Sequence, residues 1–188
     1  MTTEPGGEDR VFPGWHWVLV ALAFPIAGLI GRAVSGPVDA PLAALIGGLL
    51  TGAGLGAVQW FVAKDAFGDG RIWIAVSALG YGVGLMVGAA AVGYATDLGS
   101  LAAMGAISGL VLGAAQGLAL AEQDRRRLAV AWGAAMPVLL AVGWSVTTLG
   151  GIDVDQQFTV FGAFGAIAFM LLSGLLLARF SPAAARPA

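Results

Sequence analysis

The sequence predicts an all-α integral membrane protein with six transmembrane helices. The chain of 188 residues is 59% hydrophobic and only 11% charged, less than half of the roughly 25% charge of a soluble domain. Its apolar residues fall in blocks of about 20 residues, the length that a helix needs to cross about 30 Å of hydrocarbon. Membrane strands would alternate polar and apolar residues, and that alternation is not visible in the sequence.

The predicted spans follow one another with short connections, which favour antiparallel neighbours. The third break is marked by residues 96–100, where turn-forming neighbours of Asp97 favour a turn over a charge buried in lipid. Residues 12–182 are expected to form one domain between a disordered N-terminal tail, 1–11, and a C-terminal tail, 183–188. The six spans are 15–34, 42–63, 72–94, 99–121, 128–150 and 158–179.

The basic residues predict that both termini are cytoplasmic. Eight of the nine lie at the termini and in the second and fourth connections, and only Arg32 lies on the other side. This bias follows the positive-inside rule. Together with the Ala/Gly-rich composition, it leads us to expect a bacterial cytoplasmic membrane. The eight residues are Arg10, Lys64, Arg71, Arg125, Arg126, Arg127, Arg179 and Arg186.

An internal repeat divides the chain into three tandem helical hairpins, about 12–66, 70–124 and 128–182. Each predicted hairpin begins near a tryptophan, at Trp15, Trp73 and Trp132. Hairpins in the same orientation would be related by a pseudo-threefold axis along the membrane normal. The second helix of each hairpin carries equivalent residues 57 positions apart: Gly48, Gly52, Gly56 and Gln59; Gly105, Gly109, Gly113 and Gln116; and, more weakly, Gly162, Ala166, Met170 and Ser173.

The six glycines at Gly48, Gly52, Gly56, Gly105, Gly109 and Gly113, here called the glycine ladder, are predicted to serve helix packing. Glycines four residues apart share one face of a helix and allow the backbone of a neighbour to approach closely. The sequence does not decide whether that neighbour belongs to the same chain or to a partner. Packing is favoured over ligand binding for these positions.

Gln59, Gln116 and Ser173 occupy equivalent positions in the three repeats. Around a common axis they could form one polar layer, which would act as a constriction for a solute or an ion. The favoured interpretation is interhelical hydrogen bonding, worth about 0.6 kcal/mol for each bond in membrane bundles.

Other polar and aromatic residues point to the membrane surface. His16 lies between Trp15 and Trp17, an arrangement typical of interfacial anchoring, with a pigment or haem ligand as the alternative. Trp60, Trp73 and Trp132 are interpreted as belt residues. The run Arg125, Arg126 and Arg127 sets the topology, and it could also bind anionic lipid headgroups.

Nothing in the sequence favours an enzyme. Asp153 and Asp155 have no base or nucleophile beside them, and the phosphate-binding, zinc-protease and nucleophile-elbow motifs are missing. With no cysteine and a single histidine, we expect no metal and no cofactor.

The ladder followed by glutamine resembles a pattern in uncharacterised bacterial multi-pass membrane proteins, with repeated GxxxGxxxGxxQ-type helical hairpins. The resemblance covers residues 52–60 and 109–117, and more weakly 162–179. It implies the hairpin architecture and assigns no activity to any residue.

The sequence leaves two functions open. The first is a non-enzymatic accessory or scaffold subunit, or a protein that binds lipids or apolar ligands. The alternative is a small transporter or channel whose polar layer is Gln59, Gln116 and Ser173. The expected partners are the lipid bilayer and either another membrane protein or a second copy of the chain, with no nucleic acid.

Overall fold

The computed structural model describes residues 15–180, apart from 153, 155 and 156. Both predicted tails therefore lie outside the described residues, as do Arg10, Arg186, Asp153 and Asp155. Within the described residues the chain is helical, and no strand is found there.

Six helices follow one another along the chain. Five are long and apolar enough to cross a membrane, and the last is a shorter apolar helix of 17 residues. Many large apolar side chains, such as Leu22 and Leu118, point outward, which is typical of a lipid-facing surface. The chain is therefore an integral membrane protein by composition and helix length. The helices are α1 (His16–Ser35, with a 3₁₀ turn at Val20–Leu22), α2 (Pro41–Phe67), α3 (Gly70–Ala91), α4 (Leu98–Ala121), α5 (Arg126–Leu149) and α6 (Ala163–Arg179).

The helices form a closed ring. Each packs against its neighbours in sequence, and α6 also packs against α1. At one end of the bundle Arg125 donates a hydrogen bond to the carbonyl of Ala66 at 3.0 Å, which joins two turns. At the other end the backbone N–H of Val38 donates to the carbonyl of Gln157 at 3.0 Å. Successive turns therefore alternate between the two ends, as expected for antiparallel neighbours.

The glycine ladder packs inside this single chain. On α2, Gly48 lies against the backbone of Gly82 in α3, where an added Cβ would be 2.8 Å from the Gly82 Cα. On α4, an added Cβ at Gly113 would be 2.6 Å from the carbonyl oxygen of Gly133 in α5. The ladder therefore joins the two helices of each pair, α2 with α3 and α4 with α5, and these faces of the glycines are covered by the chain itself.

The start of α6 differs from the expected span. Residues 158–162 were predicted to be helical, but the helix begins at Ala163. The preceding segment folds into the bundle, where Thr159 is fully buried. The hydroxyl of Thr159 donates to the carbonyl of Gly28 at 3.2 Å, and its carbonyl accepts a hydrogen bond from the hydroxyl of Tyr81 at 2.8 Å. Such bonds explain the difference, because non-helical backbone is tolerated at membrane depth only where protein satisfies it.

Two local features place the ends of the helices. In α2 the backbone departs from helical geometry at Ala63, so the last turn carries Phe67 into the interior. At the start of α4 the exposed carboxylate of Asp97 accepts hydrogen bonds from the hydroxyl and the backbone N–H of Ser100. These bonds hold the pKa of Asp97 below its ordinary value. Asp97 therefore lies in a turn, as the sequence predicted, and it also caps α4.

We expect Gly52→Ala to destabilise the bundle far more than Gly54→Ala, which lies two residues away on the same helix. A Cβ at Gly52 would overlap the backbone carbonyl of Ser77 and come within 3.0 Å of the Cα of Ala78, so two helices must move apart. Such overpacking costs about 1–3 kcal/mol. Thermal unfolding of both variants in detergent measures the difference.

The control is milder because an added Cβ at Gly54 would meet a single side-chain atom, the Ala27 Cβ at 3.2 Å, and no facing backbone. Alanine also favours helix by about 1 kcal/mol over glycine. Equal losses of stability in the two variants would contradict close packing at the ladder.

Candidate functional site

Three tryptophans surround Phe67 at one end of the bundle interior. Trp17, Trp73 and Trp132 come from the first two turns of α1, α3 and α5, and their ring centroids lie 5.7, 3.9 and 5.4 Å from that of Phe67. Phe67 stacks on Trp73, with 15° between the rings. All four side chains are fully buried. This group, here called the aromatic plug, closes the interior at the end that also carries Arg125.

The plug corrects two expectations for tryptophan. Trp73 and Trp132 were interpreted as belt residues, but both are buried in the interior. The first helix begins next to Trp15, as expected, but the Trp15 side chain is 68% exposed and Trp17 is the residue in the plug. The physical reason is helix geometry, because residues two apart point to different faces and only one of them can face the other helices. Trp60 is half-buried and donates a hydrogen bond to the carbonyl of Gly68 at 2.7 Å.

Two of the three plug tryptophans donate to polar residues that the repeat had singled out. The indole N–H of Trp132 donates to the side-chain carbonyl of Gln116 at 2.8 Å. The indole N–H of Trp17 donates to the hydroxyl of Ser173 at 3.1 Å. The indole nitrogen of Trp73 is buried without a hydrogen-bond partner among the described residues.

A cavity lies between the helices next to this level, and we call it the central cavity. The centre of a water-sized sphere can occupy about 30 Å³ of this cavity. By the same measure, one water molecule needs roughly 10–15 Å³. The space therefore fits two waters or a molecule of a few non-hydrogen atoms. Most of its lining is apolar, including Phe24, Leu55, Leu112, Met136, Leu140 and Phe161.

Four polar side chains line the same cavity: Gln59, Ser77, Tyr81 and Gln116. Gln116 uses both ends of its carboxamide, because its nitrogen donates to the Ser77 hydroxyl at 2.8 Å and its oxygen accepts from an indole. The hydroxyl of Tyr81 is engaged with a backbone carbonyl.

Gln59 is the exception among these side chains. It is only 5% exposed, and its carboxamide has no hydrogen-bond partner within the part of the chain that the structure describes. Its carboxamide atoms are not among the described polar atoms that are fully enclosed without a partner, and the residue lines the cavity. Such a group beside a cavity is a candidate for ligand recognition.

The structure brings together only part of the predicted polar layer. Gln59 and Gln116 line one cavity, whereas Ser173 does not line it and is hydrogen-bonded to Trp17.

His16 is exposed at the end of the bundle and stacks on the ring of Trp15 at 3.9 Å.

The arginine run lies at the same end of the bundle as the aromatic plug. It lines an open depression of about 450 Å³, and Phe180 forms part of the wall. Arg126 and Arg127 are exposed, while Arg125 is half-buried and bound to the carbonyl of Ala66.

Sequence reasoning missed Ser77, Tyr81 and Phe67 as parts of the site. Ser77 and Tyr81 are one helical turn apart on the glycine-rich face of α3, so that face carried a signal. The sequence contains no such signal for Phe67, because the direction of its side chain depends on the change of backbone geometry at Ala63.

Comparison with protein-family models, characterised proteins and solved structures finds no match. The geometry of the site is therefore the basis for any functional conclusion.

We expect Gln116→Leu to lower the stability of the bundle by about 1–3 kcal/mol. The substitution removes one hydrogen bond on each side and leaves buried polar atoms of Ser77 and Trp132 unpaired. Thermal unfolding in detergent measures the loss, with Gln123→Leu as control. Gln123 is half-buried and loses only a local bond to the carbonyl of Ala119, so equal losses would contradict a special role for Gln116.

Proposed function

We propose that the chain is a non-enzymatic integral membrane protein that binds a small, uncharged, largely apolar molecule in the central cavity. The carrying observation is the cavity itself, which combines an apolar lining with a few converging polar side chains. That combination is typical of small-molecule sites between the helices of a bundle.

The lining supports an uncharged ligand. The side chains around the cavity are apolar or neutral, and none of the described lining residues is charged at neutral pH. A charged ligand would leave its water shell without gaining a counter-charge, which is costly inside a protein. The same reasoning disfavours ion conduction through this level.

The architecture that we propose for this protein is six membrane spans, with both termini in the cytoplasm of a bacterium. The charge bias supports this orientation, because the described turns at the plug end carry Lys64, Arg71 and the arginine run. The shorter α6 reaches the same end of the bundle, where Trp17 binds Ser173. Together with the buried segment before it, α6 would complete the sixth span.

We also propose that the three hairpins are repeats around one axis. The plug supports this proposal, because each hairpin contributes a tryptophan from the first two turns of its first helix to a ring around Phe67. The equivalent bonds of Trp132 to Gln116 and of Trp17 to Ser173 support it further.

A role as an accessory or scaffold subunit would need a surface other than the ladder. The ladder glycines contact α3 and α5 of the same chain. The partner that the surface supports best is the bilayer, through outward apolar side chains and through Arg126 and Arg127, whose charge suits anionic headgroups.

One observation favours a transporter as the second function. Gln59 and Gln116 line the same cavity, and a cavity with polar side chains inside a helical bundle is compatible with a solute path that opens in another state. Liposomes containing the wild type would then show faster flux of a small neutral solute than protein-free liposomes. Equal flux in both would remove this alternative.

For the binding function, we expect Leu112→Phe to abolish occupancy of the cavity. Leu112 lines the cavity, so a larger side chain takes up space of the order of that available to a ligand. Native mass spectrometry of protein extracted in mild detergent should show a bound small molecule in the wild type and none in this variant.

Leu118→Phe is the matched control, because Leu118 lies on the same helix and is 68% exposed. This control should retain the bound mass. The binding proposal fails if the wild type carries no ligand and takes up no added small neutral molecule.

For the orientation, we expect Asp65→Cys to be labelled by an impermeant maleimide only after the membrane is opened. We expect Ala95→Cys to be labelled in intact cells. The two residues are exposed near turns at opposite ends of the bundle, and the natural chain has no cysteine to interfere. The reverse pattern would invert the proposed topology.

A further inference from the structure

The two helix pairs α2–α3 and α4–α5 pack in the same register. An added Cβ at Gly56 would lie 2.7 Å from the Cβ of Ser77, and one at Gly113 would lie 2.8 Å from the Cβ of Met136. In each pair, the third ladder glycine therefore lies against the Cβ of one residue of the facing helix. Residues at the same number of positions along the chain from these contacts should therefore face each other in both pairs.

Gln59 and Trp73 hold the same places in the first pair as Gln116 and Trp132 hold in the second. Each glutamine follows its ladder glycine by three residues, and each tryptophan precedes its contact residue by one helical turn. In the second pair the indole N–H donates to the glutamine at 2.8 Å. In the first pair both groups lack a partner among the described residues.

Among the polar side chains that line the central cavity, the unused hydrogen-bonding capacity therefore lies mainly at Gln59. The Gln59 carboxamide can donate and accept, and Ser77 lines the same cavity with an oxygen that accepts from Gln116. By contrast, both the nitrogen and the oxygen of the Gln116 carboxamide already have a partner in the protein. The two equivalent glutamines therefore differ in availability, although their burial is similar.

We infer that Gln59 is the specificity-determining residue of the cavity, and that it recognises a single hydroxyl or carbonyl oxygen on a small neutral ligand. This inference rests on the proposed binding function. An oxygen of this kind accepts from the carboxamide N–H₂, and a hydroxyl can also donate to its carbonyl. The apolar side chains opposite, among them Phe24 and Leu112, hold the carbon skeleton.

The test uses two probes with five non-hydrogen atoms each, butan-1-ol and pentane. They are titrated into nanodisc-embedded protein, and NMR follows the indole N–H signal of Trp132, whose acceptor Gln116 lines the cavity, after assignment with Trp132→Phe. In the wild type we expect a saturable shift, with butan-1-ol binding more tightly. In Gln59→Leu the affinity for butan-1-ol should fall about tenfold, the effect of one hydrogen bond, while that for pentane should not fall.

Thermal unfolding supplies a second readout. Gln59→Leu should unfold no earlier than the wild type, because it removes a group with no partner, whereas Gln116→Leu should unfold earlier. A Gln59→Leu variant that unfolds early or fails to fold would overturn the inference, since Gln59 would then be bonded within the protein.

The outcomes separate the inference from the proposed function. If neither probe gives a saturable shift in the wild type, the binding function fails and the inference fails with it. If both probes bind and Gln59→Leu leaves their ratio unchanged, the cavity binds ligands but Gln59 does not recognise them, and only the inference is overturned.

Discussion

The structure depends on direct contact between helix backbones. Lipid gives helices little hydrophobic reason to associate, so a bundle in a membrane is held by close packing and hydrogen bonds. Here glycines bring neighbouring helices together in succession, and an added Cβ at Gly84 of α3 would already be 2.7 Å from the carbonyl of Ser108 in α4. At that separation a side-chain hydroxyl also reaches the facing backbone, as Ser108 does when it donates to the carbonyl of Gly84 at 3.1 Å. Close packing therefore also allows buried polar groups to form hydrogen bonds between helices.

Close packing also explains where the two glutamines lie. Where glycine faces meet, there is room for short side chains such as Ser108 but not for long ones, so Gln59 and Gln116 lie about one turn beyond the ladder. There Gln116 accepts a hydrogen bond from Trp132 of α5, and the aromatic plug forms at the same level. The plug closes the interior on that side. The central cavity is the space left between this closure and the segment before α6.

The predicted third hairpin differs from the other two predicted hairpins. Residues 157–162 enter the bundle without helical structure, and Thr159 is held by the hydroxyl of Tyr81 and by its own bond to Gly28. The next residues, Val160 and Phe161, then contribute to the wall of the central cavity. In the same hairpin Ser173 replaces the glutamine. A shorter polar side chain there satisfies Trp17 and leaves no group for the cavity.

The sequence by itself determined the helical membrane class, the approximate helix positions and the positions of the glycine ladder, because these follow from hydropathy, helix period and spacing along one chain. It also singled out Gln59 and Gln116, since a polar residue among glycines at a repeated position is visible in sequence. Only the tertiary structure decided that the ladder is covered by the same chain, that Trp17 rather than Trp15 faces the interior, and that Gln116 is bonded while Gln59 is not. Those outcomes depend on which atoms of distant helices meet, and residues that are equivalent along the chain can have different neighbours in space.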